Sequence, residues 1–349
     1  MMQMAGRGSS NNVDHRFTLQ RIETVDDGWW QAHSAPAPTT SVSEINARSI
    51  ISRNRSPDVP FNASINPYQG CEHGCIYCYA RPSHAYLELS PGLDFETRLF
   101  AKQNAAALLR AEFARPGYQP EVICIGANTD PYQPIEQRLR LTRQLLEVMR
   151  DHHHPVTLIT KSAMVLRDRD ILAELAAEGL CRVMVSVTTL DEGLRRRLEP
   201  RTTPGQGRVR VIEQLNRAGV PVGVLAAPMI PRLNEHELER ILEGAAAAGA
   251  DCAGYILLRL PHELAPLFTQ WLAEHYPQRQ EAVLSILRQS RAGALNSPAF
   301  GTRMRGEGEF AALLAQRFRL AVRRLGLDRS PAPLRCDGFR RPGEQLALF

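Results

Sequence analysis

Cys71-Glu72-His73-Gly74-Cys75-Ile76-Tyr77-Cys78 sets three cysteines at C-x3-C-x2-C spacing. Four thiolates close a four-iron cluster, whereas three leave one iron with an open position for a substrate or cofactor. Zinc is the competing reading. A structural zinc site takes four closed ligands, commonly as two separated pairs, but Cys124, Cys181, Cys252 and Cys336 are isolated from one another. Zinc therefore needs His73 or His84 as its fourth ligand. A disulfide framework fits less well, because seven cysteines is an odd number and a 349-residue chain needs no staples. Cys124, Cys181 and Cys252 fall in apolar runs and read as small core residues, while Cys336 sits in a polar tail.

Outward from this loop, short apolar runs alternate with helical patterns. Strands are expected over 61–66, 122–126, 156–160, 181–187, 220–226 and 252–258. Helices are expected over 97–113, 138–152, 168–178, 207–217 and 235–248, where apolar residues such as Ile171, Leu172 and Leu175 recur at helical spacing. A βα repeat of roughly 30 residues argues for parallel strands with helical crossovers. Six units are too few for a closed eight-stranded barrel. The expected fold is α/β, a partial (βα)6 TIM-type barrel over 59–261. An irregular extension over 1–58 precedes it, with its first dozen residues disordered and 17–31 a candidate packing segment. A helical extension over 262–349 follows, with helices over 264–276, 279–289 and 307–325.

In a parallel barrel the chemistry sits at the C-terminal ends of the strands. There the sequence turns polar: Tyr68-Gln69-Gly70 before the cysteine loop, then Asn128-Thr129-Asp130, Thr160-Lys161-Ser162, Ser186-Val187-Thr188-Thr189, Ala227-Pro228 and Leu258-Arg259-Leu260. Thr189 and Asp191 can equally serve as helix N-caps. Of 42 basic residues only Lys102 and Lys161 are lysines. Lys161 stands at a strand end and invites a chemical role; Lys102 reads as a helix-surface residue.

The cysteine loop, with Tyr77 just before its last cysteine, resembles the signature of the radical SAM superfamily. The ordered series of Thr129-Asp130, Thr160-Lys161, Ser186, Glu199-Pro200 and Ala227-Pro228 is similar to the spore photoproduct lyase-like branch over roughly residues 60–260. The resemblance implies that Cys71, Cys75 and Cys78 hold a 4Fe–4S cluster. S-adenosylmethionine (SAM) would bind the open iron and be cleaved to a 5′-deoxyadenosyl radical, with flavodoxin or ferredoxin as reductant. Tyr77 would lie beside the SAM adenine. Thr129, Asp130 and Lys161 would meet its amino-acid moiety, Ser186 would lie near its ribose, and Glu199 matches a family glutamate without a firm role. A lyase-like enzyme acting on nucleic acid in DNA repair is implied. Radical modification of a peptide, RNA or small molecule is the alternative, and a non-catalytic metal or iron–sulfur scaffold is a reading of another class. One departure matters: the lyase's hydrogen-donating cysteine falls at Ala127 here. The resemblance therefore assigns no hydrogen donor and does not carry over direct dimer reversal; Tyr132 is a nearby tyrosine.

The net charge of +5 permits an anionic partner without demanding one. Arg195, Arg196, Arg197, Arg201, Arg208 and Arg210 gather near the expected barrel mouth. His152-His153-His154 reads as a helix end, where an imidazolium favours the dipole. No run reaches the roughly 18 apolar residues of a membrane span, and residues 1–12 lack the apolar core of a signal peptide. A cytoplasmic protein with no membrane partner is expected.

Overall fold

The computed structural model describes residues 6–18 and 39–341. The strands among them are β1 (Ser41–Ile45), β2 (Ile51–Arg53), β3 (Ala63–Ile65), β4 (Tyr68–Gln69), β5 (Arg98–Lys102), β6 (Ile123–Ile125), β7 (Val156–Thr160), β8 (Cys181–Ser186), β9 (Val222–Met229) and β10 (Cys252–Leu257). The helices are α1 (Asp94–Thr97), α2 (Ala105–Phe113), α3 (Glu136–Leu139), α4 (Leu141–Asp151), α5 (Arg169–Ala177), α6 (Glu192–Leu198), α7 (Gly205–Arg217), α8 (Leu238–Ala247), α9 (Leu264–His275), α10 (Gln280–Gln289) and α11 (Gly308–Leu325).

The larger sheet has the order β10-β9-β8-β7-β6-β3-β2. From β3 to β10 the neighbours are parallel and follow chain order, and β2 adds antiparallel to β3. Each crossover helix turns an apolar stripe onto the sheet. Leu145, Leu146 and Met149 of α4, Ile171 and Leu172 of α5, Ile212 and Leu215 of α7, and Ile241 and Leu242 of α8 are all buried. They share one core with Val156, Leu158, Val183, Val185 and Val224 of the strands. Burying each such side chain favours folding by about 1.5–3 kcal/mol. Asp191 does cap α6: its Oδ1 accepts the Leu194 amide at 3.0 Å.

Two expected helices are interrupted. The segment 97–113 contains β5, which pairs parallel with β1 and antiparallel with β4 in a second, three-stranded sheet. Leu99 and Ala101 alternate inward, and ladder partners on both sides override helical propensity until Ala105. Lys102 is therefore a strand residue rather than a helix-surface one, and burial lowers its pKa. The segment 138–152 breaks at Arg140, whose φ is +52°.

A second apolar core joins the cysteine loop to the C-terminal helices. Ile76 and Tyr77 pack with Leu198, Ile230, Leu260, Phe268, Trp271 and Leu284. Helix α11 instead packs on α8 and β10, where Arg317 pairs with Glu239 at 2.6 Å. The histidine run ends α4 as expected, but His154 is not an imidazolium. It stacks on Phe113 with ring centroids 4.4 Å apart, its Nε2 lies 2.8 Å from the Tyr118 hydroxyl, and burial pushes its pKa down to about 3. Residues 19–31 of the candidate packing segment lie outside the described residues. Among the described residues, no helix is long and apolar enough to cross a membrane.

Candidate functional site

The cysteine loop leaves β4 and is fixed by hydrogen bonds to three other parts of the fold. The Cys71 amide donates to the Phe95 carbonyl at 2.9 Å, and the Ile76 amide to the Leu198 carbonyl at 2.9 Å. The Gln133 side chain spans the loop entrance, donating to the Gly70 carbonyl at 3.1 Å and accepting the Glu72 amide at 2.9 Å. Arg81, wholly buried, donates from Nε to the Cys75 carbonyl at 2.8 Å and pairs with Glu96, also wholly buried. All three thiols are free, and they act electrostatically on one another. Burial, the largest influence, raises the pKa of each.

Asp130 ties this loop to the strand ends. Its Oδ1 accepts the Tyr132 amide at 2.9 Å and the Thr160 hydroxyl at 2.8 Å. Its Oδ2 accepts the Lys161 amide at 2.7 Å and lies 3.4 Å from His73 Nδ1. Burial opposes ionisation, yet His73 and these amide donors leave the Asp130 pKa below its ordinary value. A positive φ at Gly126 makes the turn above β6; a side chain there would meet the Ile159 carbonyl oxygen at 2.5 Å. Thr129, buried, donates its hydroxyl to the Tyr68 carbonyl at 2.8 Å.

On the other side of the loop, the Tyr77 hydroxyl donates to Glu199, and Glu199 pairs with Arg208. Both charged side chains are fully buried. Burial works against the Glu199 carboxylate, but Arg208 and Lys161 hold its pKa below the usual range. The Thr188 hydroxyl lies 3.0 Å from both the Tyr77 oxygen and Glu199 Oε2. The Lys161 ammonium donates to the Ser186 hydroxyl and stands 5.9 Å from the Tyr77 ring centroid. The structure thus brings Cys71, Cys75, Cys78, Tyr77, Thr129, Asp130, Lys161, Ser186 and Glu199 to one end of the sheet. The oxygens of Thr129, Asp130 and Glu199 are engaged in holding that end together.

Several residues here are invisible to motif reading. Residues 6–12 are not a loose tail: Arg7 and Ser9 are buried, and Glu96 accepts the Gly8 and Ser9 amides at 3.0 and 2.9 Å. A Cβ on Gly8 would fall 1.7 Å from the Gly74 carbonyl oxygen, so glycine is required for this strap to lie on the cysteine loop. Tyr79, 44 % exposed, donates its hydroxyl to the Ala127 carbonyl. Of the arginines expected at the mouth, Arg195 and Arg208 are buried and spent inside the fold, whereas Arg196, Arg197, Arg201 and Arg210 are exposed. Arg195 caps the carbonyls of Glu199, Pro200 and Thr202, Arg208 pairs with Glu199, and Arg201 pairs with Glu72. The histidines considered for zinc are also engaged, His73 beside Asp130 and His84 on the Arg98 carbonyl at 3.0 Å. Among the described residues, no three His, Cys, Asp or Glu side chains gather into a single-ion site.

This fold and loop match the radical SAM superfamily over residues 65–245, and the chain belongs to that superfamily. Uncharacterized protein Rv2578c of Mycobacterium tuberculosis is 35% identical over 83% of both chains. Uncharacterized protein MJ0683 of Methanocaldococcus jannaschii is 24% identical over 69% of this chain and 85% of its own. Among solved structures, spore photoproduct lyase complexed with dinucleoside spore photoproduct superposes with a TM-score of 0.59, covering 81% of this chain and 79% of that one at 16% identity. That likeness shows a shared fold, and the family match makes the chain an enzyme of the radical SAM class.

Proposed function

We propose that Cys71, Cys75 and Cys78 hold a 4Fe–4S cluster with one open iron, and that SAM binds across the strand ends beside it. The observation that carries this reading is the loop itself: three free, largely buried thiols pinned to the strand ends that also carry Lys161 and Ser186. The donor set fits the group, since three thiolates with no fourth protein ligand among the described residues match an open-iron cluster rather than a closed zinc site. When bound, the cluster would supply one electron to break a carbon–sulfur bond of SAM.

The chain's own residues divide the remaining work. Lys161 offers an ammonium to the SAM carboxylate as a point charge. Tyr77 offers a ring whose hydroxyl is already fixed by Glu199. Asp130, Thr129 and Glu199 act as positioning residues, because their polar atoms are committed within the protein. The second apolar core backs the loop and keeps water from one side of it. Action on nucleic acid in the manner of the lyase rests on resemblance, and Ala127 lacks the hydrogen that the lyase cysteine provides. The class of reaction is therefore proposed as radical chemistry begun from SAM, with the lyase step not carried over.

The test is anaerobic. The protein is reconstituted with iron and sulfide, reduced, supplied with SAM and assayed for 5′-deoxyadenosine. Formation that disappears in Cys75→Ser supports the reading. A protein that takes up zinc in place of a cluster overturns it, as does a loaded cluster that neither binds nor cleaves SAM.

A further inference from the structure

Most arginines near the site have a carboxylate or carbonyl to hold, but Arg259 does not. It follows β10 at the same end of the sheet as the cysteine loop, and it makes no hydrogen bond or ion pair among the described residues. Its guanidinium instead lies over the Tyr79 ring, 4.9 Å from the centroid, and Tyr79 directly follows Cys78. Burial, the largest influence, lowers the Arg259 pKa and the charge of Arg303 adds to the effect, while Tyr79 and Asp58 work against it.

Positive charge accumulates around it. Arg303 pairs with Asp58 and donates to the Ser56 hydroxyl, and its guanidinium lies 4.9 Å from the centroid of the exposed Phe300 ring. Arg291 is only 3% exposed and has no carboxylate partner among the described residues. Its Nη2 donates to the Leu257 and Leu258 carbonyls at 3.0 and 2.8 Å, its Nη1 to the Arg303 carbonyl at 2.9 Å, and its Nε finds no acceptor. Burial and the nearby Arg259 push its pKa down to about 10. Arg259 thus lies within electrostatic reach of Arg303 and Arg291, and the acid among them, Asp58, is paired with Arg303. A partly buried, unpaired charge is costly. A guanidinium held by an aromatic face presents its N–H fork to a planar or tetrahedral oxyanion.

We propose that Arg259, stacked on Tyr79 and backed by Arg291 and Arg303, is an oxyanion-binding subsite for the substrate of this enzyme. The substrate accordingly carries a phosphate or carboxylate group that docks beside the cysteine loop. The assignment of the bound anion to a substrate rests on the radical SAM reading of the site; the anion site itself does not.

The experiment uses the full chain without a cluster, titrated calorimetrically with inorganic phosphate and separately with acetate at constant ionic strength. Saturable binding of either anion is expected, weakened by about tenfold or more in Arg259→Gln and partly retained in Arg259→Lys, which keeps the charge but loses the fork. Preference for phosphate over acetate marks a phosphorylated substrate, and the reverse marks a carboxylate. Thermal unfolding of each variant checks that the fold is kept. Absence of saturable binding of both anions overturns the proposal, as does binding that is equal in wild type and Arg259→Gln. SAM binding by reconstituted Arg259→Gln should be unchanged; its loss would make Arg259 a SAM ligand and overturn the substrate assignment. Failure of the chain to assemble a cluster would break the radical SAM reading while leaving the anion titration interpretable.

Discussion

The sheet and the cysteine loop are built by different physics. The sheet rests on a continuous apolar core from Ile65 and Ile123 through Val183 and Val224, with helices laying leucine and isoleucine stripes against it. The loop, at the strand ends, adds to its apolar backing a set of buried charges: Arg81 with Glu96, Arg208 with Glu199, and Asp130 with His73 and backbone amides. Apolar packing tolerates substitutions of similar volume. A buried ion pair fixes one geometry, and losing one partner strands the other in a medium that cannot solvate it. The sheet can thus vary while the loop keeps its cysteines in place.

The largest expected effect tests that contrast. Glu96→Gln leaves Arg81 without its counter-charge and removes the carboxylate that holds residues 8 and 9. We expect a loss of about 3–5 kcal/mol in urea unfolding and a lower iron content per folded chain after reconstitution. Leu145→Ala, in the sheet core, should cost about 2–5 kcal/mol but leave iron content per folded chain unchanged. Equal loss of iron in both variants would erase the distinction between the two regions.

A third prediction uses pH within the sheet layer. His154 has a folded pKa of about 3 against an ordinary 6.5. Between these values the unfolded chain binds the proton and the folded chain does not, so stability is complete above pH 6.5 and falls as pH drops toward 3. Near pH 5 the cost is about 2 kcal/mol. Denaturant titrations of His154→Phe should lose that part of the acid slope; an unchanged slope would mean that His154 is not the group responsible. The smallest effect is expected from Asp191→Ala, which removes the cap on α6 at a cost of about 1 kcal/mol, measured by thermal unfolding. Iron content should stay near wild type, because α6 reaches the loop through the Leu198 carbonyl rather than through its capped end.

Legibility in the sequence follows the same division. The parallel strands could be read because apolar runs bounded by polar strand ends are local signals, and 156–160 coincides with β7. Strand β5 was hidden because Arg98–Lys102 is flanked by helix-forming residues and becomes a strand only through its pairing with β1 and β4. The three cysteines and Lys161 stood out by spacing and rarity. The residues that hold them did not: Glu96 acts on Gly8 and Ser9 across more than eighty positions, and Arg81 meets Glu96 only after the loop has folded. Buried ion pairs carry no periodicity, so a single chain does not announce them. His154 shows the converse, a conspicuous histidine run whose last member is a neutral core residue.

The central claim is that the three-cysteine loop holds a cluster whose open iron meets SAM. The most direct measurement is electron paramagnetic resonance of the anaerobically reconstituted, reduced protein with and without SAM. The account predicts a reduced 4Fe–4S signal whose shape changes when SAM is added, and no such signal in Cys75→Ser. A cluster signal that ignores SAM, or one that survives in Cys75→Ser, would contradict it.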